Sequence, residues 1–262
     1  MEWKEASLQE HQQALCLLLN EFDRVCRQLN IPYMLFAGSM LGAVRHKGFI
    51  PWDDDMDISM FDEDYKKLEK ILVSRDDKDY FYQCIKSDPE HVNVFGKFRK
   101  KNDPVFAADQ RSKYFKYQGV GLDVFSLEKS NRFAAHMAKF LYQNLIHPTQ
   151  YIKNRFWRHF AIKSVQLLNF GLLIPICRLI GHIGHKGQYR YKLGSGFYQC
   201  GFSREEILPL KTMDFEGIEF PVPGNTDAYL TKIYGDWRKL PSEEQIRKTM
   251  HYPLYIKEIF GE

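Results

Sequence analysis

The sequence predicts an α+β fold: a mixed sheet flanked by helices, with an added helical region after it. Three observations carry this. Short apolar or alternating runs recur through the first half, at 33–37, 55–60, 81–85, 94–99, 105–107 and 120–125. Helical spacing of apolar residues separates them, as in Leu15, Leu18, Phe22, Val25 and Leu29. After Pro148 the strand pattern gives way to helical stretches, the longest at 156–183.

The elements follow in order. Ser7 and Glu10 form a capping-box pattern that opens the first helix, and Asn30-Ile31-Pro32 closes it. Residues 33–37 read as a buried strand, Gly38-Ser39 as a tight turn, and 40–46 as a short helix. A loop with Gly48 and Pro51 leads to the strand at 55–60, and a helix spans about 63–73. Residues 131–145 look helical, 215–221 read as one strand, and 226–234 as a helix before Gly235. The boundary near Pro148 divides the chain into a core unit, 1–148, and a helical accessory region, 149–262, whose last segment packs back on the core.

Composition narrows the class. An apolar fraction of 44%, with 20 Phe and 15 Tyr, supplies a packed core and excludes a disordered or fibrous chain. A net charge of +4 without a long basic run permits phosphorylated partners and predicts no nucleic-acid binding. The five cysteines are odd in number and include no CxxC pair, which fits a reducing cytosol rather than a disulfide framework. The polar first residues predict no secretory signal, so a cytoplasmic location is expected. The stretch 165–183 is the most apolar, yet Gln166, Asn169, Pro175, Arg178 and His182 interrupt it. It reads as a core or interface helix, with peripheral contact at the inner face of a membrane as the alternative.

The chemistry concentrates in Asp53-Asp54-Asp55-Met56-Asp57-Ile58. On a strand, Asp53, Asp55 and Asp57 share one face, while Met56 and Ile58 suit a core on the other. Carboxylates that close repel, and a hard divalent cation, Mg²⁺ or Mn²⁺, removes the conflict. Gly38-Ser39 lies upstream, where a backbone can approach a phosphate at a helix N-terminus. In Gly121-Leu122-Asp123-Val124-Phe125 a lone Asp sits in an apolar strand, where it needs a partner or a metal. Arg45 and Lys47 are candidates to clamp phosphates, as are Lys97 and Arg99, which alternation puts on one face. His182 and His185 lack an acidic third ligand and read as structural.

The run AGSMLGAVRHKGFIPWDDDMDI, within residues 33–64, closely resembles the LicD family of phosphotransferases. GLDVFSLE, at 121–128, resembles the family's second block, with Ser126 where Pro is usual and Glu128 where Asp is usual. Residues 215–237 are similar to a late block of the family. The resemblance implies a polymerase-beta-like nucleotidyltransferase core within residues 1–148. It also implies transfer of phosphocholine from CDP-choline, with CMP leaving, onto a sugar of a cell-surface glycan, teichoic acid or lipid-linked precursor. Asp55, Asp57 and Asp123 would be catalytic and metal-binding, with Asp53 as a helper, and Gly38-Ser39 the phosphate-side turn. A choline head calls for aromatic faces, for which Trp52, Phe49, Tyr117 and Trp237 are candidates. Two other readings stay open: transfer of a nucleoside monophosphate from an NTP, and a non-catalytic glycan- or nucleotide-binding protein.

Overall fold

A computed structural model describes residues 3–5, 7–102, 105–107, 114–195, 199–247 and 254–257. Strand β1 (Trp3–Glu5) precedes helix α1 (Leu8–Leu29). Ser7 caps α1 as the sequence predicts. Its hydroxyl accepts from the Glu10 amide at 3.2 Å, and the Glu10 carboxylate accepts from the Ser7 amide at 2.8 Å. Asn30 ends the helix in the left-handed region, at φ 52°. Leu15, Leu18, Phe22 and Val25 are buried along one face.

Strand β2 (Met34–Leu35) is shorter than the expected run, because helix α2 (Ala37–His46) starts at once. Gly38 and Ser39 are therefore not a turn between strand and helix. They lie in the first turn of α2, and the change of direction falls on Ala37, at φ 42°. Strand β3 (Asp57–Phe61) begins two residues later than expected and leads into α3 (Asp62–Ser74). Then come β4 (Tyr80–Gln83), β5 (Gly96–Lys100), β6 (Val105–Ala107) and β7 (Gly121–Lys129).

The main sheet has the order β2-β3-β7-β5-β4 and is mixed. Strands β3 and β7 run parallel, and the other neighbours antiparallel. Met56, Ile58 and Met60 turn one face of β3 into the core, each at most 2% exposed. Strands β1, β11 (Leu254–Lys257) and β6 form a separate three-stranded sheet.

Helices α4 (Arg132–Leu141), α5 (Arg155–Leu168) and α6 (Ile174–His182) occupy the middle of the chain. A π-helical turn, Asn169–Leu173, joins the last two into one rod, Arg155–His182. This region has small apolar clusters of its own, one around Ala134, Ala138, Ile174 and Cys177, another around Val92, Ile146 and Ile162. Strand β8 (Tyr189–Tyr191) then pairs with β7, and α7 (Arg204–Ile207) follows.

Residues 215–221 are not one strand. Strands β9 (Lys211–Phe215) and β10 (Ile218–Val222) form a hairpin. Glu216 and Gly217 make its two-residue turn, at φ 52° and 80°. Positive φ at both central residues suits the twist of a hairpin, and Gly217 takes it without steric cost. Helices α8 (Thr226–Tyr234) and α9 (Glu243–Arg247) follow, ahead of β11. Tyr191, Phe202, Phe215, Phe220 and Tyr229 belong to the same apolar cluster as Phe22, Phe36 and Ile58.

Candidate active site

Register builds the site. Asp57 on β3 lies opposite Asp123 on β7, and Asp123 lies opposite Lys97 on β5. Residues directly opposite in a sheet project to one face. The three therefore form a row across three strands, and Lys97 Nζ meets Asp123 Oδ1 at 2.5 Å. The Asp123 amide also donates to Met56 O at 2.8 Å, which prolongs the β3–β7 contact toward the acidic run.

Beyond the row, Asp53, Asp54 and Asp55 each offer a carboxylate oxygen within 4.8 Å of the others. Asp55 is common to this group and to the trio read from the sequence. Asp54 was missed, because strict alternation turned it toward the core. It is buried, but residues 53–56 precede the strand, so alternation does not govern them. Asp57 shows the electrostatic result. Burial, then Asp55, Asp123 and Asp53, push its carboxyl well above the usual range, against the opposing pull of Lys97. An oxygen-only donor set with this much concentrated negative charge fits a hard divalent cation.

Helix α2 sits against the carboxylates. Ser39 is buried, and its hydroxyl accepts from the Asp57 amide at 2.8 Å. A Cβ on Gly38 would come within 2.8 Å of Asp53 Oδ2. Gly38 thus admits the Asp53 carboxylate to the first turn of a helix, where free amides favour negative charge.

Three further residues hold the acidic loop, and none announced itself in the sequence. His11 Nε2 donates to Asp54 O at 2.8 Å, and Gln12 Nε2 to Asp53 O at 2.9 Å. Glu216 accepts from the Phe49 amide at 3.0 Å, while its own amide donates to Lys47 O at 2.9 Å. These links join residues at least 41 apart, which no local pattern reveals. The one available signal was Glu216-Gly217 itself, a turn-forming pair inside an apolar run.

The basic candidates separate. Lys97 is in the row. Arg99 shares its face but is buried, donating to Gln83 Oε1 at 2.6 Å and Gly119 O at 2.7 Å. Burial pulls its guanidinium down to about 10. It braces the 119–121 approach to β7 and is not aimed at a phosphate in solvent. Arg45 donates to His46 Nε2 at 2.9 Å and Trp237 O at 3.1 Å, so it ties α2 to the late segment. Lys47 is exposed beside the loop.

The aromatic candidates separate too. Phe49 is buried edge-on to Phe215. Tyr117 lies under Lys101 and Lys116, and Trp237 under Arg238, so protein cations already occupy those rings. Trp52 is half-buried and meets His46 edge-on at 6.3 Å.

Comparison with known proteins gives the arrangement a context. Residues 30–167 match the family model described as LicD/FKTN/FKRP, nucleotidyltransferase domain. The chain is 28% identical to the lipopolysaccharide cholinephosphotransferase LicD of Haemophilus influenzae, covering 98% of this chain and 99% of that protein. It is also 38% identical to an uncharacterized protein of Rickettsia prowazekii, over 27% of this chain and 31% of the other. An uncharacterized protein of Rickettsia typhi is 41% identical over 22% and 19%, respectively.

Proposed function

From the premise that this chain belongs to the LicD/FKTN/FKRP family of nucleotidyltransferase domains, we propose that it transfers phosphocholine from CDP-choline to a sugar hydroxyl. The acceptor is a cell-surface glycan, a teichoic acid or its lipid-linked precursor, and CMP leaves. The observation that carries the reading is the row Asp57–Asp123–Lys97 beside Asp53, Asp54 and Asp55. It supports a polymerase-beta-like core, with catalytic carboxylates on neighbouring strands of a mixed sheet. Similarity to the Haemophilus cholinephosphotransferase along nearly the whole of both chains supports the choice of group.

Asp55, Asp57 and Asp123, helped by Asp53, are the residues that would hold Mg²⁺ or Mn²⁺. Such an ion, when bound, neutralises charge on the donor's pyrophosphate. The chain's own residues position the reactants. The acceptor oxygen attacks the phosphorus that bears choline, the bond from that phosphorus to the CMP oxygen breaks, and Asp123 takes the hydroxyl proton. Lys97 holds Asp123 in place and adds positive charge beside the phosphates. Trp52 offers an apolar, π-bearing surface to the quaternary ammonium. The helical region after Pro148 contributes to the acceptor side.

The test is Mg²⁺-dependent release of CMP from CDP-choline, with CDP-ribitol, CDP-glycerol and CTP in parallel. Protection against thermal unfolding by each donor is read alongside. Release or protection by one CDP-alcohol, lost in Asp55→Ala/Asp57→Ala, supports the phosphotransferase and names its head group. A response to CTP alone assigns nucleotidyl transfer instead. Silence toward every donor with metal present rejects the substrate.

A further inference from the structure

The rod Arg155–His182 leaves much of its apolar surface outside. A surface helix ordinarily turns its apolar stripe inward. Here Arg158, Gln166 and Asn169 are buried beside Ile162, Ile174 and Cys177, while Phe156, Phe160, Leu167, Leu172 and Leu179 face out at helical spacing. Leu167 is 78% exposed and Phe156 70%. The rod is also long and apolar enough to cross a membrane, with a mean hydropathy of 1.6 over its best 18-residue window. A continuous apolar stripe of this kind marks a surface made to be covered.

Charge selects the cover. Between Glu128 and Glu205 the sequence has no acidic residue and twelve Lys or Arg. With the whole chain at +4, the remainder carries −8. Lys163 lies within the outward stripe, between Phe160 and Leu167, and Arg155 stands exposed at its start.

We propose that the outer face of α5 and α6 docks flat on a lipid bilayer bearing anionic headgroups. The aromatic and leucine side chains enter the headgroup–acyl boundary, and Arg155 and Lys163 reach lipid phosphates. Two alternatives fit less well. A second copy paired through the same face would set one acid-free surface against another without counter-charge. A spanning rod would have to abandon the Arg158–Glu90 pair at 2.7 Å and the Gln166–His91 O bond at 3.1 Å, exposing buried polar groups to hydrocarbon. The docking does not depend on which group the active site transfers, and it is measured without donor or acceptor.

The experiment is co-sedimentation of the full chain with phosphatidylcholine vesicles, and with vesicles of phosphatidylcholine and phosphatidylglycerol, at low and high salt. We expect binding to the anionic vesicles that weakens severalfold with salt. Leu167→Ser/Leu179→Ser should reduce partitioning about tenfold or more, and Arg155→Gln/Lys163→Gln only its phosphatidylglycerol-dependent part. Both pairs are outward, and circular dichroism melts should match the parent. No binding to either vesicle overturns the proposal, as does binding that both variants leave unchanged. Retention through an alkaline carbonate wash assigns a spanning rod and overturns it. So does a dimer in sedimentation velocity that vesicles do not compete and that Leu167→Ser/Leu179→Ser dissociates.

Discussion

The acidic loop and the helical rod handle charge in opposite ways. At the loop, five carboxylates crowd one corner, and Lys97 contacts one of them, Asp123. Its backbone is held by His11, Gln12 and Glu216 from distant parts of the chain. In the rod, the one fully buried charge, Arg158, is matched: it pairs with Glu90, donates to Gln150 O and lies over the Tyr114 ring at 4.0 Å. The loop gathers like charge at one corner of the sheet, where burial and its neighbours hold the Asp57 carboxyl well above the usual range. The rod neutralises its buried charge for the sake of architecture, and leaves apolar surface outside. Charge removed from the first should spare the fold and cost function; charge removed from the second should do the reverse.

The sharpest attempt to break that contrast is Asp55→Ala/Asp57→Ala. Transfer should fall at least about a thousandfold, or roughly 4 kcal/mol. Thermal melts without metal should hold or rise, because a repulsive pair has gone. A variant that unfolds would show that the carboxylates are structural. Next, Arg158→Ala should destabilise the chain by about 3 kcal/mol in urea titrations, since a buried, paired guanidinium is removed and the half-buried Glu90 keeps only His159 beside it. Arg158→Met/Glu90→Gln should recover much of that loss, and equal losses in the two variants would deny the pairing its role.

His91 ties the segment between β4 and β5 to the rod. Its ring donates to Phe95 O at 2.8 Å, and its carbonyl accepts from Gln166 of the rod. Burial pulls its pKa from 6.5 down to about 4. The unfolded chain therefore takes up a proton near 6.5 while the folded chain resists until about 4. Stability falls as pH drops through that window, by about 3 kcal/mol at most. Denaturation midpoints measured from pH 7 to 4 should decline less steeply in His91→Gln. Matching slopes would place the titration elsewhere. The smallest effect belongs to Ser7→Ala, remote from both regions. Loss of the cap should cost about 1 kcal/mol and leave donor binding untouched. A change in donor protection would mean that α1 transmits strain to the acidic loop through His11 and Gln12.

The two regions also differed in how far the sequence disclosed them. Asp55, Asp57 and Asp123 could be singled out as candidates because such chemistry calls for carboxylates at strand spacing, with Met56 and Ile58 anchoring the register, and the register does set Asp57 opposite Asp123. Asp54 was not, because period two describes a strand and residues 53–56 are not one. Arg99 shared the expected face with Lys97, but alternation cannot tell a side chain in solvent from one committed to Gln83. The rod was legible as a helix and opaque as a surface. Its apolar residues implied a core facing them, whereas only some, Ile162, Ile174 and Cys177, are inside, beside Arg158, Gln166 and Asn169. The hairpin was read as a strand because Glu216-Gly217 interrupts its apolar run by only two residues.

That turn has a consequence for the order in which the protein is made. Glu216 fixes the loop at Phe49 from 167 positions downstream. A ribosome that has delivered the whole acidic signature has not yet delivered the residue that secures its approach. Until β9 and β10 emerge, the nascent chain carries the carboxylates without their final clamp. Competence of the site therefore comes late in synthesis, and truncation before residue 216 leaves the signature intact in sequence but unsecured in space.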